Sequence, residues 1–117
     1  MSHPARFRLS IPNGGTDSPA LSSLMSKGAA RSTFGNSSDM VIHCPGTLPE
    51  TCTVQVSPKY GSGVWYTLQQ GGTDVALAAG KANQCAVGAI EDLRIHAGGA
   101  VAAQRDFDVV IQVTMGQ

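Results

Sequence analysis

The sequence predicts an all-β protein, an antiparallel β-sandwich wound as a jelly roll, and three observations carry that prediction. Segments 5–11, 52–57 and 105–115 alternate apolar and polar residues with a period of two, the pattern of strands with one dry and one wet face. Glycine and proline turn signals divide the 117 residues into about seven to nine short strands, the spacing expected of a sandwich or barrel. No strand is followed by an amphipathic helical stretch, so a parallel α/β sheet is disfavoured.

In chain order, Arg6–Ile11 is the first strand, with Phe7, Leu9 and Ile11 on one face and Arg6, Arg8 and Ser10 on the other. Pro12-Asn13-Gly14-Gly15 ends it, and Asp17-Ser18-Pro19 adds a second turn. Leu21–Ala30 reads as either a short helix or a strand, because Leu21, Leu24 and Met25 share a helical face that the serines and Gly28 weaken. Gly35-Asn36-Ser37-Ser38 has loop composition. Met40, Ile42 and Cys44 then alternate with Val41 and His43 until Pro45-Gly46.

The strongest local signal is a hairpin. Cys52, Val54 and Val56 alternate with Thr53, Gln55 and Ser57, Pro58 and the glycines at 61 and 63 supply the reversal, and Val64–Gln69 resumes in β-branched and aromatic residues. This stretch holds the single Trp and both Tyr of the chain. Gln70-Gly71-Gly72 makes the next turn, and Val75, Leu77 and Ala79 mark a strand closed by Gly80. The 82–89 segment alternates more weakly through Cys85, Val87 and Ala89. Leu93, Ile95 and Ala97 alternate with Arg94 and His96, and in the longest strand Phe107, Val109, Ile111, Val113 and Met115 oppose Asp106, Asp108, Gln112 and Thr114. The whole chain, 1–117, reads as a single sandwich domain with a short N-terminal strand or arm, and no internal repeat of fixed period stands out.

Composition narrows the function classes. Formal net charge is zero and only 14% of residues are charged, against a usual share of about 25%. No basic field draws the chain to nucleic acid or to anionic lipid. The N-terminus lacks the apolar core of an export signal and no apolar run approaches a membrane span, so the expectation is a protein made in the cytoplasm, with no nucleic-acid or membrane partner. Three cysteines, an odd number, then read as reduced thiols.

Catalytic and metal chemistry find no support in residue spacing. His43, His96, Cys44, Cys52 and Cys85 are the residue types of a zinc site, but no Cys-x-x-Cys occurs and the adjacent His43 and Cys44 leave a strand on opposite faces. No serine or cysteine stands beside an oriented histidine in the pattern of a nucleophile. Glu50, Glu91, Asp92, Asp106 and Asp108 are scattered and read as solvated strand and loop positions. Gly71-Gly72 and Gly98-Gly99 read as turns, since neither precedes the Lys and Ser/Thr of a phosphate loop. The expectation is a non-enzyme without metal or cofactor. Of Trp65 and Tyr66, neighbours on a strand, one should enter the core and the other should meet a partner or ligand.

Three stretches together look like small virion proteins of tailed bacteriophages. They are Ile11-Pro12-Asn13-Gly14-Gly15-Thr16 leaving the first strand, Val54-Gln55-Val56-Ser57-Pro58 turning into Trp65-Tyr66-Thr67-Leu68, and Asp92-Leu93-Arg94-Ile95 turning into Asp106-Phe107-Asp108-Val109. The resemblance is to the cement or decoration proteins of capsids. It implies a jelly-roll or sandwich fold, a place on the virion surface, the major capsid protein as partner, and no catalytic residues. Sparse charge and clustered aromatics add an expectation of self-association as a dimer or trimer, with Arg6, Arg8, Tyr60, Trp65 and Tyr66 as contact residues. The competing class is a carbohydrate- or receptor-binding sandwich of a tail or head fibre, with Trp65 or Tyr60 stacked on a sugar, followed by a tail or connector component.

Overall fold

Alternation of apolar and polar side chains is realised in ten strands, and the computed structural model describes them within residues 2–24, 37–59, 62–86 and 90–114. They are β1 (Ser2–Ile11), β2 (Ser37–His43), β3 (Cys52–Ser57), β4 (Tyr66–Thr67), β5 (Gln69–Gln70), β6 (Thr73–Asp74), β7 (Ala76–Leu77), β8 (Ala82–Ala86), β9 (Asp92–Ala97) and β10 (Arg105–Thr114). One sheet runs β1-β10-β2-β8 and is antiparallel throughout. In the other, β3 is central, with β9 along one side and β4 and β7 sharing the opposite side. β5 and β6 form a separate two-stranded ribbon.

The two sheets close over one apolar core, making an antiparallel sandwich. Leu9 and Ile11 of β1, Met40 and Ile42 of β2, and Phe107, Val109 and Ile111 of β10 are fully buried. Against them lie Cys52 and Val54 of β3, Leu93, Ile95 and Ala97 of β9, and Leu77. Each large side chain so buried contributes roughly 1.5–3 kcal/mol of transfer free energy. That gain requires register, since a one-residue slip would turn the same side chains to water.

The chain passes from sheet to sheet. After β1 it turns through Pro12–Gly15, where Gly14 adopts φ +82°, donates its N–H to the Val101 carbonyl at 2.8 Å and presents no Cβ to strain the left-handed backbone. It then touches β9 through a single bridge, Asp17 to His96. β2 returns to the first sheet, β3, β4 and β7 lie in the second, β8 in the first, β9 in the second and β10 in the first.

Several sequence expectations are corrected. The 64–79 stretch is not two ordinary strands but four two-residue pieces, β4 to β7, with Ala79 exposed in a turn. Gly71 and Gly72, at φ +62° and +83°, make the tight reversal between β5 and β6 that this fragmentation needs. Ser37 and Ser38, read as loop, belong to β2, and Leu21–Leu24, the described part of the expected helix or strand, is a single 3₁₀ turn, residues 25–30 lying outside the described residues. β1 is longer than its alternation marks, starting at Ser2. Ser57, expected on the wet face of β3, is buried, its hydroxyl held by the Lys59 carbonyl at 2.9 Å and by Ser62 at 3.0 Å. The expected alternation at Val87, Ala89 and Met115 lies outside the described residues, as does Tyr60.

Candidate functional site

Pairing β1 with β10, and β10 with β2, lays out the wet face of the first sheet. Arg6 stands opposite Val110 and Arg8 opposite Asp108, while on the next strand Asp108 faces His43 and Val110 faces Val41. The inward partners of these residues are Leu9, Val109 and Ile42, so the period of two forces the polar set outward. The result is an open groove of about 510 Å³ whose rim includes Arg6, Arg8, His43, Asp108 and Val110.

Charge in this groove is only partly neutralised. Arg8 Nε donates to Asp108 Oδ1 at 3.0 Å, and this pair holds the guanidinium more firmly protonated than usual. Both partners are more than half exposed, so salt screens the pair and it adds little to stability. Arg6 and His43 have no side-chain hydrogen bond or ion pair among the described residues. At the groove's end Asp106 accepts from Ser10 Oγ at 2.6 Å and Gln104 Nε2 at 2.8 Å, and these bonds keep its carboxyl below the usual range.

The aromatic residues lie elsewhere, at the β4 edge of the second sheet, with Tyr66 opposite Val56 and Trp65 beside the outward-facing Arg94. Arg94, opposite Gln55 in the β3–β9 ladder, places its guanidinium carbon 4.6 Å from the Trp65 ring centroid, a cation–π contact. Its Nε donates to Gln55 Oε1 at 2.7 Å and its Nη2 lies 3.7 Å from Asp17. His96 Nδ1 donates to the same Asp17 oxygen at 2.6 Å. Burial pushes the Asp17 carboxyl upward, but the His96 hydrogen bond and the charges of Arg94 and His96 outweigh it and leave the carboxyl below its ordinary value. Trp65 is half-buried and Tyr66 is 58% exposed, so neither enters the core and the expected division between them is corrected. Arg6 and Arg8 are therefore brought together, Trp65 and Tyr66 sit at the other sheet, and these four of the five residues expected at contacts do not form one patch, the fifth, Tyr60, lying outside the described residues.

Two acids assigned to solvent are not solvated. Asp92 is 3% exposed and accepts from the N–H and Oγ of Ser22 and from the Leu93 N–H. Glu50 forms a nearly buried bidentate pair with Arg105, at 3.0 and 3.2 Å, and Arg105 keeps the Glu50 carboxyl below its usual range. His43, Asp108 and Val110 in the groove, and Arg94, Asp17 and His96 beside Trp65, were not expected at these two surfaces, although His43, His96 and Asp108 were weighed for metal or acid–base roles. Their strands come from distant parts of the chain, and only the ladder makes them neighbours.

Burial raises the Cys52 and Cys85 thiols to about 11, leaving almost no thiolate at neutral pH. Although His96 and Asp17 form a dyad, no Ser, Thr or Cys side chain hydrogen-bonds His96 among the described residues. Nor do three His, Cys, Asp or Glu side chains converge on a metal position among those residues.

No protein-family model and no curated protein matches the chain. Solved structures share its fold. The SPBc2 prophage-derived protein YomS aligns over 94% of this chain and 95% of its own, with a TM-score of 0.57 and 7% identity. A structure of Bacillus endospore appendages, described as disulfide-linked pili, aligns over 99% of this chain and 90% of its own, with a TM-score of 0.54 and 12% identity. At such identities the likeness is one of fold.

Proposed function

We propose that the chain is a non-enzymatic virion structural protein that binds the outside of a tailed-bacteriophage capsid and stabilises it, with the major capsid protein as its partner. The observation that carries this reading is the wet face of the β1-β10-β2-β8 sheet. It is an open surface with Arg6 and His43 unpaired among the described residues, beside a small apolar strip, Val110 and Val41, suited to docking on another protein surface. Multivalency on a lattice makes many such modest contacts sufficient. A fold shared with a prophage-derived protein and with a pilus-forming appendage supports a role in an extended assembly. The order in which the chain visits the two sheets supports reading the sandwich as a jelly roll in which one strand has shrunk to the Asp17 bridge.

The sugar-binding alternative asks for an aromatic face free to stack. Arg94 already covers one face of Trp65, which favours the protein-docking reading. Protein-gel quantification of purified virions, with a mixing assay against shells lacking this protein, tests the proposal. Copy numbers near those of the shell subunit and saturable binding are expected; a scarce protein that ignores such shells would reject it.

A further inference from the structure

We propose that copies of this chain join edge to edge, β1 of one copy adding as a strand beside β8 of the next, so that the first sheet continues across the contact. The idea rests on the proposed assembly role and names how neighbouring copies would meet. β1 pairs along ten consecutive positions with β10 and has no strand on its other side among the described residues. β8, at the far edge, pairs among the described residues only with β2. Each edge thus carries a row of backbone N–H and C=O groups available to another chain.

Strand direction and charge select this pairing over its rivals. The sheet has four strands in strict antiparallel alternation, so β1 and β8 run in opposite directions. A second copy set beside the first in the same orientation therefore meets it antiparallel. Pairing β1 with β1 of another copy would bring Arg6 and Arg8 against their own counterparts, and like charges across a ladder are destabilising. β8, Ala82-Asn83-Gln84-Cys85-Ala86, carries no charge and no proline, the usual guards of an edge. Pro4 lacks an N–H, which leaves Ala5–Ile11 as the part of β1 able to donate throughout, enough for the five residues of β8. Such a contact is heterologous and builds a ring or an open filament, whereas β8 against β8 would stop at a two-fold dimer.

Charge substitution at Gln84, exposed and on the same wet face as Arg6 and Arg8, separates these outcomes. Sedimentation of the full chain over a range of concentrations is expected to show association, weakened about two- to fivefold by Gln84→Lys and strengthened by a similar factor by Gln84→Glu. Weakening by both substitutions indicates β8 against β8 and overturns the proposal, as does a monomer at every concentration. In a Cys44→Ser background, oxidative cross-linking should join Arg6→Cys to Gln84→Cys and neither to itself. A monomer that still binds empty shells would defeat the edge contact and leave the capsid reading intact; an oligomer that ignores shells would do the reverse.

Discussion

Ser22 and Asp92, 70 residues apart in the chain, are locked together: the serine hydroxyl donates to one carboxylate oxygen at 2.5 Å and its N–H to the other at 3.1 Å. The pair fixes the 3₁₀ turn Leu21–Leu24 to the start of β9, and Leu21 is fully buried beside it. Ser22→Ala should cost about 1–3 kcal/mol in denaturant unfolding, because a buried carboxylate loses a partner. Asp92→Ala should cost at least as much, since it also strips the Leu93 N–H of its acceptor. A pair of unfolding midpoints equal to the parent's would show that the contact is not maintained in solution.

That contact also marks the limit of what a single sequence discloses. β1, β9 and β10 were legible because each has one dry face, and a period of two survives without knowledge of its neighbours: Leu9, Ile95 and Phe107 are all buried as their alternation requires. Asp92 follows the same alternation, yet its wet face is covered by a distant turn, and no local pattern announces that cover. The return of the hairpin from Cys52 was legible, and Gln55 does meet Thr67, but the expected Val64–Gln69 strand shortens to Tyr66–Thr67 and Gly61 of its turn lies outside the described residues. What followed was not, because the β3–β4 ladder stops at Thr67 and Gly71 and Gly72 then reverse the chain into a separate ribbon. The groove was half legible, with Arg6 and Arg8 on one face, while His43 and Asp108 joined them only through register.

Thiol accessibility gives the next expectation. Cys52 and Cys85 are buried, whereas Cys44 is partly exposed and accepts a hydrogen bond from Asn83 Nδ2 at 3.3 Å. An aromatic disulfide reagent should label Cys44 in the native protein, slowly because burial raises its thiol, and should count three thiols after denaturation without reductant. Fewer than three would reveal a disulfide in solution.

Acid should loosen the Asp17 anchor. Its carboxyl is held below the usual value in the folded protein, so near pH 4 the unfolded chain binds more protons and stability rises with pH. The contribution is complete above the unfolded value of about 4 and is lost as pH falls through the lower folded value. Asp17→Asn should therefore lower stability at pH 6 and flatten the acid limb of the stability curve, measured by denaturant unfolding at stepped pH. An unchanged limb would assign acid sensitivity to Glu50 and Asp106, whose carboxyls are also held low.

Core substitutions test the sandwich itself. Phe107 and Ile111 are fully buried on the dry face of β10, between the strands that flank it. Phe107→Ala and Ile111→Ala should each destabilise by about 2–5 kcal/mol, the usual result of emptying a packed site. Unchanged midpoints in both would mean that β10 sits in another register.

Arg6→Ala separates binding from folding. Arg6 is exposed and unpaired among the described residues, so its truncation should move stability by no more than about 0.5 kcal/mol, the range of ordinary surface changes. Phe107→Ala, in contrast, weakens any function through loss of the fold. If the wet face of the first sheet docks on a shell, Arg6→Ala and Arg6→Glu should lower shell occupancy in graded order at unchanged unfolding midpoint, with a larger deficit at low salt than at high salt. Full occupancy by Arg6→Glu would move the docking surface off this face and direct attention to Tyr66 and Val64, the exposed large apolar side chains on the hairpin.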